Sequence, residues 1–336
     1  MAGRVGGMSA FARPEQASTG ERSEPSFDQL TTKPLLGIEF DTVESRRKVR
    51  EHLFYLVAKN GGSAAAIYWI FTQPTGWVEW TAFAAFYVMN ILSMSVGYHR
   101  FFAHRAFDTS MPMRYAIAIL AQLGIFGSLR RWVAEHRRHH ALSDRSGDIH
   151  SPYFDGHGRP NHGVSGWKHA HLGWAFTNSM TDPAVYGKGL GEDRAILFVD
   201  QHRFGIFIAS VVILPAIWGL IFGGPQAVIG TILIAGFLRS VIALHAIASV
   251  NSFGHIYGAQ RYKGGADQAR NNWLIALFTL GEGWHNNHHA HPRAANAGLA
   301  WYEVDMTSWI IRLLERMGLV WNVRWAELER KGSHEQ

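Results

Sequence analysis

Eighteen consecutive residues without a charged side chain, Gly205 to Phe222 (GIFIASVVILPAIWGLIF), constrain this chain more than any other feature. Wound as a helix at about 1.5 Å per residue, such a run is about 27 Å long, close to the ~30 Å hydrocarbon thickness of a bilayer. A second run, Ala227 to Val250, follows after Gly223, Gly224 and Pro225. Two more, Leu53 to Phe71 and Glu79 to Tyr98, are joined by a turn near Thr72 to Gly76, although Lys59, Asn60 and Gly61 weaken the first. The pattern predicts an all-α integral membrane protein with four transmembrane helices in two hairpins, at residues 53–71, 79–98, 205–222 and 227–250. Neither hairpin turn contains Lys or Arg, whereas SRRKVR (Ser45 to Arg50) precedes the first run and basic residues crowd the segment between the hairpins. By the positive-inside rule, both termini and that segment are cytoplasmic, and the protein is a multi-pass protein of the cytoplasmic membrane. The net charge of +6 is accounted for in this way. No nucleic-acid partner is expected, because the histidine-rich segments lack the Lys/Arg-plus-aromatic pattern of such surfaces.

Residues 1–30 are rich in Gly, Ser, Pro and charge and lack the apolar run of a signal peptide, so they read as a disordered, uncleaved tail. Residues 31–330 then form a single domain in which segments 99–204 and 251–330 build a cytoplasmic helical cap. Within the cap, Met113 to Gly127 is apolar but too short to span, and is expected to lie in or dip into the interface. Near the end, Met306, Trp309, Ile310, Leu313, Leu314 and Met317 recur at helical spacing after Asp305. This amphipathic helix is expected to pack against the cap, with lipid contact as the alternative.

Nineteen histidines and no cysteine restrict the chemistry. Disulfides, thiolate zinc sites, cysteine-ligated iron–sulfur clusters and a cysteine nucleophile are excluded, so a metal here sits on nitrogen or oxygen. The histidines gather in His99-Arg-Phe-Phe-Ala-His104, His136-Arg-Arg-His139-His140 and His285-Asn-Asn-His288-His289. Given the composition, one HxxHH pattern arises by chance on the order of 0.06 times, so two are not accidental. Positions i, i+3 and i+4 lie on one side of a helix, so three imidazoles of a box are expected to converge. The spacing of five between His99 and His104 is not a single α-helical face; the helix is expected to end there and redirect the second ring. Asn251 and His255 share a face at the cytoplasmic end of the fourth run, which brings them to the same membrane surface as the boxes. Nine histidines are too many for one metal and enough for two, and imidazole suits iron, copper, zinc and nickel alike. His52, His157, His162 and His334 read as ordinary surface or core residues.

HRFFAHR, EHRRHH, NSFGH and GEGWHNNHH, in this order around two hydrophobic hairpins, resemble the membrane fatty acid desaturase family, in particular its Δ9 acyl-CoA (stearoyl-CoA desaturase-like) branch. The resemblance runs from about residue 50 to residue 325. It implies four transmembrane helices under a cytosolic cap that holds two irons, with His99, His104, His136, His139, His140, His255, His285, His288 and His289 as ligands and Asn251 acting through water. It further implies one iron on His104, His136 and the third box, and the other on His99, the second box and His255, with Asn251 completing a shell. The reaction it implies is oxygen-dependent insertion of a cis double bond, at Δ9 of a saturated C16–C18 acyl-CoA. Acyl-lipid or acyl-carrier-protein desaturation, hydroxylation and alkene-forming decarboxylation use similar boxes.

Chemical need agrees. Taking hydrogen from an unactivated methylene requires an oxidant that no side chain provides, so a redox metal must activate O₂. Candidates to orient the imidazoles are Glu135, Asp144, Asp148, Asn286 and Asn287. Two electrons must come from a separate ferredoxin or b-type cytochrome with its reductase, since the chain has neither a cysteine cluster nor a dinucleotide fingerprint. Arg130, Arg131, Arg137, Arg138 and Lys168 offer a basic surface for an acidic carrier or coenzyme A phosphates. By resemblance, Tyr87 and Ile91 close the acyl tunnel, and His150, His169 and His171 lie near the substrate or the irons, His171 as a substrate contact. His245 within the fourth run needs a polar partner and is expected either to support Asn251 or to be a neutral, hydrogen-bonded histidine, and Arg239 is expected to snorkel or to pair with a cap carboxylate. A metal transporter is disfavoured, because its ligands would line a path through the membrane rather than gather on one face.

Overall fold

The computed structural model describes residues 37–328, so the tail expected at residues 1–30 and His334 lie outside the described residues. Strand β1 (Ile38–Phe40) leads into helix α1 (Val43–Thr72), which starts where Thr42 Oγ1 accepts the Ser45 N–H. α1 begins ahead of the predicted span because its first turns belong to the cap. Ser45 donates to Asn178 Oδ1 at 2.7 Å, and buried Lys48 donates to Ser179 O at 2.7 Å. Helix α2 (Trp77–Ala103) follows a short turn, and its last eleven residues, Ser93–Ala103, are wound as π-helix.

After β2 (Asp108–Thr109), helix α3 (Met111–Leu123) takes up most of the predicted interfacial stretch and lies against the π-wound end of α2. A Cβ on Gly97 would sit 2.7 Å from Ala121 Cβ, so the two helices can approach this closely only over a glycine. Helix α4 (Leu129–Leu142), capped by Ser128, carries the second histidine box. α5 (Gly163–His171), β3 (Ser179–Thr181) and α6 (Arg194–Gln201) complete this half of the cap. α7 (Arg203–Gly223) and α8 (Pro225–Ile256) form the second hairpin, turning at Gly224 with φ +76°. α9 (Trp273–Phe278), α10 (His285–Ala290), α11 (Met306–Arg316) and β4 (Val320–Trp321) finish the described chain. β1 pairs antiparallel with β3 (Ile38 opposite Thr181) and β2 with β4 (Thr109 opposite Val320), which ties both ends of the domain to the cap.

Among the described residues, α2, α7 and α8 are long and apolar enough to cross a membrane. α1 has the length, but Lys48, Glu51, Lys59 and Asn60 dilute its apolar character. The largest buried cluster, including Tyr98, Phe101, Phe107, Leu129, Ile196 and Ile311, lies around the π-wound end of α2 and so braces the histidine-bearing helices.

Two expectations are corrected. The apolar stripe of α11 does not pack inward: Met306, Trp309, Leu313 and Met317 are exposed, whereas Thr307, Ser308 and Ile311 are buried. The reason is the N-terminus of the helix, where Asp305 pairs with Arg100 and Thr307 bonds Ser95 and Leu280 O, which turns the polar side toward α2. Arg239 neither snorkels nor meets a carboxylate. It is fully buried in α8 and donates to Asn90 Oδ1, to Ser210 O and Ala235 O at 2.8 Å each, and to Ser210 Oγ at 3.3 Å.

Candidate metal centre

The nine box histidines reach one region from four helices: α2 ends at His99 and His104, α4 carries the second box, α8 carries His255, and α10 carries the third box. The π-winding resolves the spacing of five. In a π-helix the hydrogen bond closes from i to i+5, so residues five apart lie nearly over one another. The His104 N–H accordingly bonds His99 O at 3.1 Å, and the two rings lie 4.8 Å apart.

The imidazole nitrogens form two adjacent groups. One holds His99, His104, His136, His140 and His288; the other holds His139, His255, His285 and His289. Nε2–Nε2 separations in the first are 2.8 Å (His104–His136), 3.0 Å (His99–His288 and His140–His288) and 3.1 Å (His136–His140). In the second they are 3.0 Å (His255–His285), 3.1 Å (His285–His289) and 3.3 Å (His139–His289). Neither box converges on one point as expected. At about 100° per residue, positions i and i+4 are about 40° apart while i+3 lies on the other side of i. Each box therefore sends its i, i+4 pair to one group and its i+3 residue to the other. The partition implied by resemblance is corrected in the same way, since His99 joins His104 rather than His255. Asn251 lies half-buried at one turn before His255.

Four rings are backed by carboxylates on Nδ1: His99 by Glu282 at 2.5 Å, His139 by Asp148 at 2.9 Å, His255 by Asp144 at 2.7 Å and His289 by Asp267 at 2.7 Å. A carboxylate on Nδ1 fixes the proton there and leaves the Nε2 lone pair facing inward. Burial, reinforced by neighbouring imidazoles, holds His104, His136, His139, His140, His285 and His288 well below the usual histidine value, so they are neutral near pH 7. Burial raises Glu282, but His99 and Arg100 outweigh it and hold the carboxyl at about 2. Asp148 is pushed up to about 7 by burial and then by the charge of Asp144. With Asp148 ionised, His139 and His289 both carry the proton on Nδ1 and point lone pairs at each other across 3.3 Å. Two lone pairs make no hydrogen bond, and this donor set fits a cation in each group.

Of the orienting candidates, Asp144 and Asp148 hold imidazoles, whereas Asn286 and Asn287 bond the 262–271 loop and the Ala297–Glu303 turn. Glu135 is buried with one oxygen unpaired. Sequence reasoning missed Asp267 and Glu282. Glu282 sits three residues before His285, a signal available in the motif itself, but Asp267 lies in a loop that nothing local marks. The His150 ring lies against that of His139, centroids 4.1 Å apart and tilted by 35°. His171 bonds Ser252 Oγ and His245, at 2.9 Å each, so of the two readings of His245 the hydrogen-bonded histidine holds, its partner lying on α5, and not the support of Asn251. The basic surface shrinks: Arg138 is buried against Gly147 O, Arg137 bonds Phe102 O and Ala103 O, and Arg131 pairs with Glu51. Arg130 and Arg131 line a cavity of about 330 Å³ together with Arg47 and Arg203. Ile91 is fully buried against Ala243 and Leu280, with Tyr87 beside it donating to Phe278 O at 2.8 Å.

Residues 75–325 match the family described as Fatty acid desaturase. The chain is 35% identical over 303 residues, 90% of its own length and 94% of the other, to a hex-5-enoyl-[acyl-carrier protein] acetylenase of Moorena producens (strain JHB). It is 33% identical to a probable acyl-CoA desaturase of Schizosaccharomyces pombe (strain 972 / ATCC 24843), over 77% of this chain and 51% of that protein. It is 32% identical to an sn-1 stearoyl-lipid 9-desaturase of Anabaena variabilis, over 73% of this chain and 84% of that protein.

Proposed function

The chain belongs to the fatty acid desaturase family, and on that premise we propose that it is a membrane-bound, oxygen-dependent diiron desaturase that inserts a cis double bond at Δ9 of a saturated C16–C18 acyl-CoA. The observation that carries this reading is the pair of inward-facing imidazole groups, backed by carboxylates, at the ends of α2 and α8. His99, His104, His136, His140 and His288 hold one iron; His139, His255, His285 and His289 hold the other, with Asn251 acting through water. Two irons bound there supply the oxidising power, drawn from O₂, that removes hydrogen from an unactivated methylene.

The chain's own residues do the rest. Glu282, Asp144, Asp148 and Asp267 keep four imidazoles in the tautomer that presents Nε2 inward. Burial of seven of the nine histidines, with His140 and His289 partly buried, keeps bulk water away from the site. Tyr87 and Ile91 close the far end of the acyl path, and His171, beside Leu172, borders it where α5 meets α8. Two hydrogens leave adjacent carbons, and O₂ becomes two waters with two further electrons from a ferredoxin or b-type cytochrome and two protons from solvent. Residues 31–330 are one domain with four crossings, α1 supplying the fourth, and both termini and the centre face the cytoplasm. The acyl carrier presents its phosphates at the cavity lined by Arg47, Arg130 and Arg131.

A second reading, an acyl-carrier-protein substrate, is favoured by the likeness to the Moorena producens acetylenase along nearly its whole length. Phosphopantetheine is common to both carriers, so the same cavity serves either. The test is gas chromatography–mass spectrometry of total fatty acids from cells expressing wild type or His289→Ala, with disulfide adducts locating the double bond. A Δ9 monoenoic acid absent from the variant supports the proposal. A hydroxy acid, a terminal alkene or no product in the presence of a reductase system overturns it.

A further inference from the structure

A cavity of about 80 Å³ lies between α1, α8 and the loop after α5. One face of α1 lines it, with His52, Tyr55, Leu56 and Lys59 at i, i+3, i+4 and i+7, together with Phe126 and Trp174. The walls are mostly apolar; Lys59 and Trp174 bring N–H donors to them, beside the His52 ring, whose Nδ1 donates to Lys48 O at 2.9 Å and whose Nε2 is an acceptor. The Lys59 ammonium is 5% exposed and meets one acceptor among the described residues, Ile125 O at 3.3 Å, although it carries three N–H bonds. Trp174 Nε1, on the same cavity, is buried without a partner, as is Ser63 Oγ one turn along α1 from Lys59. Buried donors left unpaired are costly, so the missing component of this cavity is an acceptor.

The cavity connects two parts of the site. The Trp174 ring centroid lies 5.8 Å from that of His150, whose ring in turn lies 4.1 Å from that of His139, tilted by 35°. Phe126 lines the cavity and also packs on the cluster of Ile91, Ala243 and Leu280. An acyl chain with its first carbon beside Lys59 would run past Phe126 toward the cluster of Ile91, Ala243 and Leu280 on which Phe126 packs. We propose that Lys59, assisted by the Trp174 indole N–H, binds the carbonyl oxygen of the acyl substrate and thereby sets which carbons lie beside the metal centre. This rests on the reading of the chain as an acyl desaturase.

Binding of radiolabelled stearate, methyl stearate and octadecane to the purified protein in nanodiscs tests it, with wild type, Lys59→Met, Lys59→Arg and Trp174→Phe. Losing a charge-assisted hydrogen bond is expected to weaken stearate and methyl stearate about 10- to 100-fold in Lys59→Met and to leave octadecane unchanged. Lys59→Arg is expected to retain most of the affinity, and Trp174→Phe to lose a few-fold. Equal losses for both acyl probes identify the carbonyl; a loss for stearate alone identifies a free carboxylate. In cells, Lys59→Met is expected to spread the double bond over neighbouring positions, because the chain is free to slide. If no variant makes a double bond while the binding difference persists, the desaturase reading fails and the site stands. If Lys59→Met binds acyl probes like wild type and keeps one double-bond position, the inference is overturned. Should Lys59→Met not fold, a wild-type preference for methyl stearate over octadecane that is unaltered in Trp174→Phe overturns it equally.

Discussion

Asp144→Asn isolates the charge behind one imidazole group. Asp144 is 1% exposed at its side chain and accepts three hydrogen bonds, from His255 Nδ1 at 2.7 Å, Ser151 Oγ at 2.7 Å and Gln268 N at 2.8 Å. Its Oδ2 serves both His255 and Gln268, while Oδ1 serves Ser151, whose hydroxyl is able to turn and accept instead. An asparagine with its carbonyl in the Oδ2 position thus keeps the geometry and loses only the charge. Replacing a charge-assisted bond by a neutral one costs about 1 to 2 kcal/mol, or roughly 5- to 30-fold in metal affinity at the group of His139, His255, His285 and His289. Asp267, behind His289, is a third exposed, so water substitutes for it and Asp267→Asn is expected to do less. The assay is iron per chain, by plasma mass spectrometry, during titration with a competing chelator. Equal retention in Asp144→Asn and wild type, or a larger loss in Asp267→Asn, refutes the reasoning.

With two metals held as proposed, chelating both leaves imidazole nitrogens 2.8 to 3.3 Å apart with no cation between them; we expect Tm to fall by about 5 to 10 °C, equivalent to about 3 kcal/mol, with faster hydrogen exchange over residues 267–291. Ile91→Ala removes a fully buried side chain beside Tyr87 and is expected to cost about 2 to 5 kcal/mol of stability while extending the product profile to longer chains, read by gas chromatography. Asn90→Leu strips an acceptor from buried Arg239 and a donor from Gly124 O, and is expected to cost about 3 kcal/mol in thermal unfolding, whereas Asn90→Asp is expected to be tolerated.

Much of this protein is legible from periodicity and residue type. Apolar runs of bilayer length identify three helices long and apolar enough to cross a membrane, α2, α7 and α8, and the turn at Gly224 separates the last two. The boxes announce themselves through spacing and composition, because metal ligation needs several imidazoles and a helix repeats every 3.6 residues. The division of those boxes was beyond that logic. Helical spacing states which residues share a face but not what opposes it, and the split of His136/His140 from His139 depends on how α4 and α10 are set against α2 and α8. The π-winding that aligns His99 with His104 is likewise a product of packing around Ser93–Ala103. Asp267 is brought to His289 by a loop with no local signal, and α11 turns its apolar stripe outward because Asp305 and Thr307 are held against α2. Local sequence determines elements and the chemistry they carry, since both depend on neighbours along the chain. Which lone pairs meet, and which carboxylate stands behind each ring, depends on contacts between residues that are as many as 189 positions apart, and tertiary packing alone decides those.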